Sequence, residues 1–330
     1  MKRDKNYDLL RVVSCAMVIL LHAGAFFVAS SNGFDRLVGV ICQAITRTAV
    51  PCFVMLSGAF LLNDTRWKDY TYAFNKTSRN IILPTIVYSV LFILFSFLMY
   101  HLGFTQANYR EVLILSLKGY PYPHMWYMYM CIGLYLATPV IWIIKECAGG
   151  GYTIAFFLVV GYIMERSFQL IWPIKFVPFI GYFLFGGYVR ALDLKGKKKK
   201  ELIWTALFLW VVFITMSCIE QIIGTKNIWG VLPTDPLCPL IVVASLACFV
   251  FFSAIEVKAD TYKIAKHTDS IYYVHVVIQQ VIWTLGERLC PNVNVVCKIS
   301  VISLVSFVMA LVYSILLRKV LSILTNRKAI

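Results

Sequence analysis

Residues 8–22 read DLLRVVSCAMVILLH. They open a proline-free apolar run, 9–30, long enough to cross a bilayer as one helix, since about 20 apolar residues span roughly 30 Å of hydrocarbon. Yet the stretch carries Asp8, Arg11 and His22. A charged or ionisable group inside a spanning helix is costly and marks function by default. Arg11 and His22 are eleven residues apart, close to three turns, so they share a face about 16 Å apart along the axis. Asp8, one turn before Arg11, can pair with it. One helix face thus bears an acid, a guanidinium and, deeper, an imidazole. Blander readings stay open: an interfacial Asp8–Arg11 ion pair, and a histidine bonded to helix backbone.

The composition agrees with a membrane setting. Of 330 residues, 60% are hydrophobic and only 14% charged, against about half and a quarter in soluble domains. Water-soluble enzymes, extracellular disulfide scaffolds and disordered chains are poor fits. Ten apolar runs follow one another, at 9–30, 37–62, 81–102, 126–144, 148–164, 176–192, 202–223, 237–256, 268–286 and 296–317. The fifth and sixth are short and glycine-rich and can form a hairpin that does not fully cross. The expectation is an all-α polytopic membrane protein of about ten transmembrane helices, forming a single integral-membrane domain over 1–330 with no separate soluble domain. Asp8, Arg11 and His22 speak against a cleaved signal peptide.

The net charge of +15 is read as topology rather than as nucleic-acid binding. With the N-terminus in the cytoplasm, 21 of the 31 Lys and Arg fall on inside segments and 8 outside, with Arg11 and Arg47 within helices. That bias is what the positive-inside rule requires, and it puts both termini in the cytoplasm. The Lys197–Lys200 run is a topology anchor against anionic lipid. The stretch 103–125, with Tyr109, Tyr120, Pro121, Tyr122 and Pro123, reads as an interfacial loop or cap. The ten cysteines include no CxxC pair, so neither a zinc site nor a disulfide framework is expected; one Cys238–Cys290 disulfide stays open. No HExxH, phosphate loop or Ser-His-Asp order is present.

Further polar groups interrupt the later runs. Arg47 lies at a depth matching His22, where a guanidinium can stabilise an oxyanion or orient a carboxyl group; bonding to carbonyls bared by Pro51 is the alternative. Ser57–Gly58 suit close helix packing. Arg79 precedes Pro84 at the inner mouth of the third run and, with Arg11, suits phosphates. His124, Trp126 and Tyr127 start the fourth run. Tyr272, Tyr273 and His275 lie in the ninth.

These residues resemble the membrane acyltransferase-3 family. The resemblance rests on Arg11-x10-His22 after Tyr7-Asp8-Leu9-Leu10, on Arg47–Phe53 running to Leu56-Ser57-Gly58, and on Arg79 with Ile82-Leu83-Pro84. His124-Met125-Trp126-Tyr127, Gly181 with Gly186, and Ser270–His275 complete it. It spans the whole chain and looks most like the stand-alone branch, that of the enterobacterial common antigen O-acetyltransferase. Met125 stands where Leu is usual, and the Arg79-to-Pro84 step is slightly long. Neither departure changes a group that does chemistry.

The resemblance implies transfer of an acyl group, usually acetyl, from cytoplasmic acyl-CoA to a hydroxyl of a cell-surface or lipid-linked carbohydrate, in the bacterial cytoplasmic membrane. The enzyme class implied is an acyltransferase of groups other than amino-acyl groups. His22 would be general base or transient acyl carrier, and Arg47 the oxyanion partner. Arg11, Asp8, Arg79, Ser57, His124, Trp126, Tyr127, Tyr272 and His275 would bind substrate or acyl-CoA. No tightly bound cofactor, metal or nucleic acid is expected; partners are acyl-CoA, the glycan acceptor and membrane lipid, with monomer and homodimer both open. A membrane carrier for a small polar solute such as an amino acid is the alternative, since a buried His/Arg site suits that too.

Overall fold

The protein, described by a computed structural model, is defined over residues 4–324 apart from 104–108, 149, 169, 171, 193, 195–198 and 224–233. The helices in chain order are α1 (Lys5–Ala25), α2 (Gly33–Thr46), α3 (Ala49–Leu61), α4 (Tyr70–Thr77), α5 (Leu83–His101), α6 (Tyr109–Leu117), α7 (Trp126–Leu136), α8 (Thr138–Cys147), α9 (Gly151–Ser167), α10 (Ile180–Ala191), α11 (Lys199–Ile223), α12 (Pro239–Ala254), α13 (Tyr262–Ala265), α14 (Thr268–Leu289) and α15 (Val295–Leu324). No strand occurs among the described residues.

Local chemistry sets the boundaries. The Asp4 side chain caps α1 by accepting from the Asn6 amide at 3.0 Å, and Asn32 caps α2 through the amides of Phe34 and Asp35; each satisfies donors that a helix start leaves open. The run 37–62 is not one smooth helix. It breaks at Arg47–Thr48, because Pro51 has no amide proton to give the Arg47 carbonyl and its ring crowds that oxygen. Pro139 acts likewise on α7 and α8, which are bent by 58° at Ala137. Gly150, between α8 and α9, has φ +128°, a conformation that favours glycine.

Helices occupy most of each of the ten apolar runs, but fewer pass as complete spans. Among the described residues five stretches are long and apolar enough to cross a membrane: Lys5–Ala25, Gly33–Leu61, Tyr70–His101, Lys199–Ile223 and Val295–Ile323. The bent α7–α8 pair makes a sixth if counted as one. Among the rest, α9, α10 and α12 are short, at 17, 12 and 16 residues. α14 has length enough at 22 residues but carries Asp269, His275, Gln279, Gln280, Glu287 and Arg288. The expected interfacial stretch 103–125 contains helix α6 rather than loop alone. Of the expected lysine anchor, Lys197 and Lys198 lie outside the described residues, while Lys199 begins α11 and pairs with Glu256 at 3.4 Å. All ten cysteines are free thiols, Cys238 buried and Cys290 exposed, so the open disulfide does not form.

Large apolar side chains stay exposed along α5, α11 and α15, among them Leu94, Phe208, Leu304 and Leu316. Surfaces of this kind are covered by lipid, not water, so this is a polytopic helical membrane protein.

The chain forms two compact units, 1–53 with 193–330, and 54–192, divided within α3. In the first, α1 is the hub and packs against α2, α12, α14 and α15. Gly24 and Gly39 let α1 and α2 touch: a Cβ on Gly39 would lie 2.9 Å from the Gly24 carbonyl oxygen, and one on Gly24 2.8 Å from the Cys42 Cβ. Asn6 ties α1 to the end of α12 by donating to the Ser253 and Ile255 carbonyls at 3.2 and 2.6 Å.

In the second unit α3 and α10 approach more closely still. A Cβ on Gly58 would fall 1.8 Å from the Phe183 carbonyl oxygen, and one on Gly186 1.8 Å from that of Met55. The expected packing role of Ser57–Gly58 is thereby found. The backbone cannot yield at such a contact, so Gly58→Ala should destabilise by about 1–3 kcal/mol or more. Gly286→Ala, where a Cβ meets nothing within 4 Å, should be neutral or stabilise by up to ~1 kcal/mol. Melting temperatures of the two variants in detergent check this; equal behaviour would contradict the close approach.

Candidate active site

In the first unit α1 runs unbroken through Asp8, Arg11 and His22, so the shared face expected from the spacing holds. Asp8 is buried, while Arg11 and His22 keep part of their surface accessible. Two neighbours converge on His22, and a third ring stands behind one of them. Arg47, at the C-terminal cap of α2, is near enough to act on it electrostatically. His275 of α14 places its ring centroid 5.3 Å from that of His22. Tyr272 stands 5.5 Å from His275 by the same measure.

Glutamines fix this geometry. Gln43, one turn before Arg47 and 6% exposed, accepts from the Arg47 guanidinium through Oε1. Its Nε2 donates to the Leu21 carbonyl at 3.2 Å, beside His22. Arg47 is thus linked to the backbone of α1 through one amide side chain. The bonding differs from the alternative reading, in which Arg47 meets carbonyls bared by Pro51. On the other side Gln279, fully buried, donates Nε2–H to the Ile19 carbonyl at 2.7 Å. Asp235, just before α12, acts on Arg47 electrostatically and supplies a counter-charge.

Hydrogen-bonding capacity is left over around these groups. Arg47 Nε, Thr48 Oγ1 and Gln279 Oε1 are buried and make no hydrogen bond among the described residues. Each open group costs about 1–3 kcal/mol, and such groups collect where a ligand or reacting atom is to be met. No cluster of metal-ligating side chains occurs among the described residues. A separate cavity of about 280 Å³ beside Trp283, Cys290 and Cys297 holds none of the expected site residues.

The remaining expected residues lie in the second unit. Ser57 hydrogen-bonds Tyr135 Oη at 2.9 Å, so its hydroxyl serves helix packing. Arg79 is exposed on the π-helical turn Ser78–Ile82 joining α4 to α5. His124 is buried and meets the rings of Phe92 at 5.4 Å and Tyr122 at 5.8 Å edge-on. Trp126 packs on Phe179, 6.0 Å between centroids, with the Lys175 ammonium 6.0 Å over its ring. Lys175 itself pairs with Glu165 at 2.8 Å. Tyr127 is buried against Trp126.

The sequence reading overlooked Gln43, Gln279 and Asp235. A usable signal existed: Gln43 stands four residues before Arg47, and Gln279 four after His275, spacings that put each pair on one helix face. Gln43→Leu leaves the guanidinium and the Leu21 carbonyl each one hydrogen bond short, at a cost of about 1–3 kcal/mol. Thermal unfolding in detergent should show this as a lowered melting temperature, and an unchanged one would contradict the linkage.

Neither a curated protein nor a solved structure matches the chain. The sequence profile of the acyltransferase-3 family, described as an acyltransferase domain, matches residues 4–318. That range is nearly the whole chain and includes His22, Arg47 and every other expected site residue. The chain therefore belongs to the acyltransferase-3 family and is a membrane acyltransferase.

Proposed function

We propose that the protein is an O-acyltransferase of the bacterial cytoplasmic membrane, its membrane domain having ten spans with both ends inside. Its donor is cytoplasmic acyl-CoA, with acetyl as the acyl group. Its acceptor is a hydroxyl of a cell-surface or lipid-linked carbohydrate. The reading is carried by one observation: His22 lies within electrostatic reach of Arg47, which stands at a helix break, in a chain that matches this family over 4–318.

The chemistry needed is attack of a hydroxyl on a thioester carbonyl. An imidazole serves either as base for the hydroxyl or as first acceptor of the acyl group, and positioned acid–base catalysis contributes about 10²–10⁴-fold. A guanidinium directed at the developing oxyanion supplies another ~10²–10³-fold. The open Nε of Arg47 is a donor available for that charge. Arg11, with Asp8, and Arg79 take the phosphates of the coenzyme, as guanidinium groups suit phosphate oxygens. His124, Trp126 and Tyr127 receive the sugar, for which an aromatic wall is suited. Tyr272 and His275 contact the acyl group.

Inside-out vesicles given acetyl-labelled coenzyme A test this. Label should pass to a lipid-linked or surface glycan fraction with the wild type. His22→Ala should reduce transfer at least ~10²-fold. Full transfer by His22→Ala would end the role of His22, and donor binding without thioester consumption would end the enzymatic reading.

A further inference from the structure

The imidazole of His275 is more than a wall for the acyl group. Its ring is fully buried and inclined by 53° to that of His22, with 5.3 Å between centroids. Its Nδ1 lies 2.7 Å from the carbonyl oxygen of Tyr272, one turn earlier on α14. A carbonyl can only accept, so Nδ1 carries the ring proton and Nε2 holds the lone pair. The tautomer that makes Nε2 the basic nitrogen is thus set by the backbone, the arrangement by which a third group orients a base. Gln279, one turn further on, ties α14 to the Ile19 carbonyl of α1. This holds the two imidazoles at a constant spacing.

Two imidazoles in contact answer a difficulty in the reaction. If His22 carries the acyl group, its reacting nitrogen is occupied when the acceptor arrives. The hydroxyl proton then needs another base.

We propose that the two histidines divide the work, His22 carrying the acyl group and His275 acting as catalytic base toward the acceptor hydroxyl; this rests on the transferase reading above. In the first half, a His22 ring nitrogen attacks the thioester carbonyl. A C–N bond forms, the C–S bond breaks, and the electron pair leaves on the coenzyme sulfur as thiolate, giving an acyl-imidazolium. In the second half, the hydroxyl oxygen attacks the acyl carbon and its proton passes to His275 Nε2. The C–N bond breaks and its electron pair returns to His22. The proton held by His275 is the one the thiolate takes up, so the sum is an ester and free coenzyme A with both rings neutral again.

The test uses the full chain in lipid nanodiscs with acetyl-CoA. Three rates are measured: exchange of labelled free coenzyme A into acetyl-CoA, release of acetate to water, and acetyl transfer to hydroxylamine. The first reads acylation of His22 alone. Water is a hydroxyl nucleophile that needs a base, whereas hydroxylamine is reactive enough to attack without one. His275→Gln should lower acetate release by ~10²-fold or more while exchange and transfer to hydroxylamine fall far less. His22→Ala should lose all three. Acetate release by His275→Gln at the wild-type rate would overturn the proposal. So would an equal fall of all three rates, in both His275→Gln and His275→Asn, in variants whose melting temperatures match the wild type. Wild-type protein that turns over acetyl-CoA without exchange would overturn the division of labour but leave the transferase standing. Wild-type protein that does neither would sink the transferase reading and this inference with it.

Discussion

The site in the first unit depends on the contact of two helix backbones, α1 and α2, at Gly24 and Gly39. Helices in a bilayer gain no hydrophobic energy by leaving lipid for one another. Close packing and interhelical hydrogen bonds must hold them, and glycine supplies the first by removing Cβ. With the backbones this near, the short reach of Gln43 is enough to join Arg47 to the carbonyl beside His22. A wider spacing would separate imidazole from guanidinium and break the link through Gln43. Gln279 does the same from α14, so α1 is held on two sides, at Ile19 and Leu21. Both carbonyls lie in the turn that leads into His22.

Much of this was legible from residue types, because lipid imposes one rule. Any polar side chain in an apolar run must be accounted for, and Asp8, Arg11, His22, Arg47 and His275 stand out for that reason. The helical character of the ten runs was legible as well. Among the described residues only some of them are long and apolar enough to be recognised as complete spans. Length fails α9, α10 and α12, and polarity fails α14, whose His275 and Gln279 lower the very signal by which a span is recognised. The glutamines were missed because an uncharged amide in an apolar stretch attracts less notice than a charge, although it makes two directional bonds. The break at Arg47 was half visible. Pro51 announced it, but which partner the guanidinium takes is decided by tertiary placement. His124 was expected from the start of the fourth run and the family pattern; its ring contact with Phe92 comes from α5, which no local pattern relates.

The second unit shows how differently an expected residue can be employed. Ser57, a small polar group near the middle of α3, spends its hydroxyl on Tyr135. Trp142 and Lys145 of α8 likewise donate to the Leu61 and Leu62 carbonyls at 3.2 and 2.5 Å, closing off the C-terminal end of α3. Asn63 adds bonds to the Ala59 and Gly187 carbonyls. Between them these side chains satisfy the last carbonyls of α3, which a helix end leaves open. α3 is thereby fixed at one end by side-chain donors and at its middle by contact with α10.

That contact between α3 and α10 also governs how the sequence can drift. Along α5 or α15 a leucine can exchange for isoleucine or methionine with little effect, because fluid lipid reshapes around it. Gly58 and Gly186 have no such latitude. Each faces a carbonyl of the other helix, so enlarging either is not offset by shrinking a neighbouring side chain. The main chain itself is the obstacle. The two positions therefore constrain ancestry one by one rather than as a compensating pair: a lineage that lost either glycine would have to move a whole helix to regain the fold.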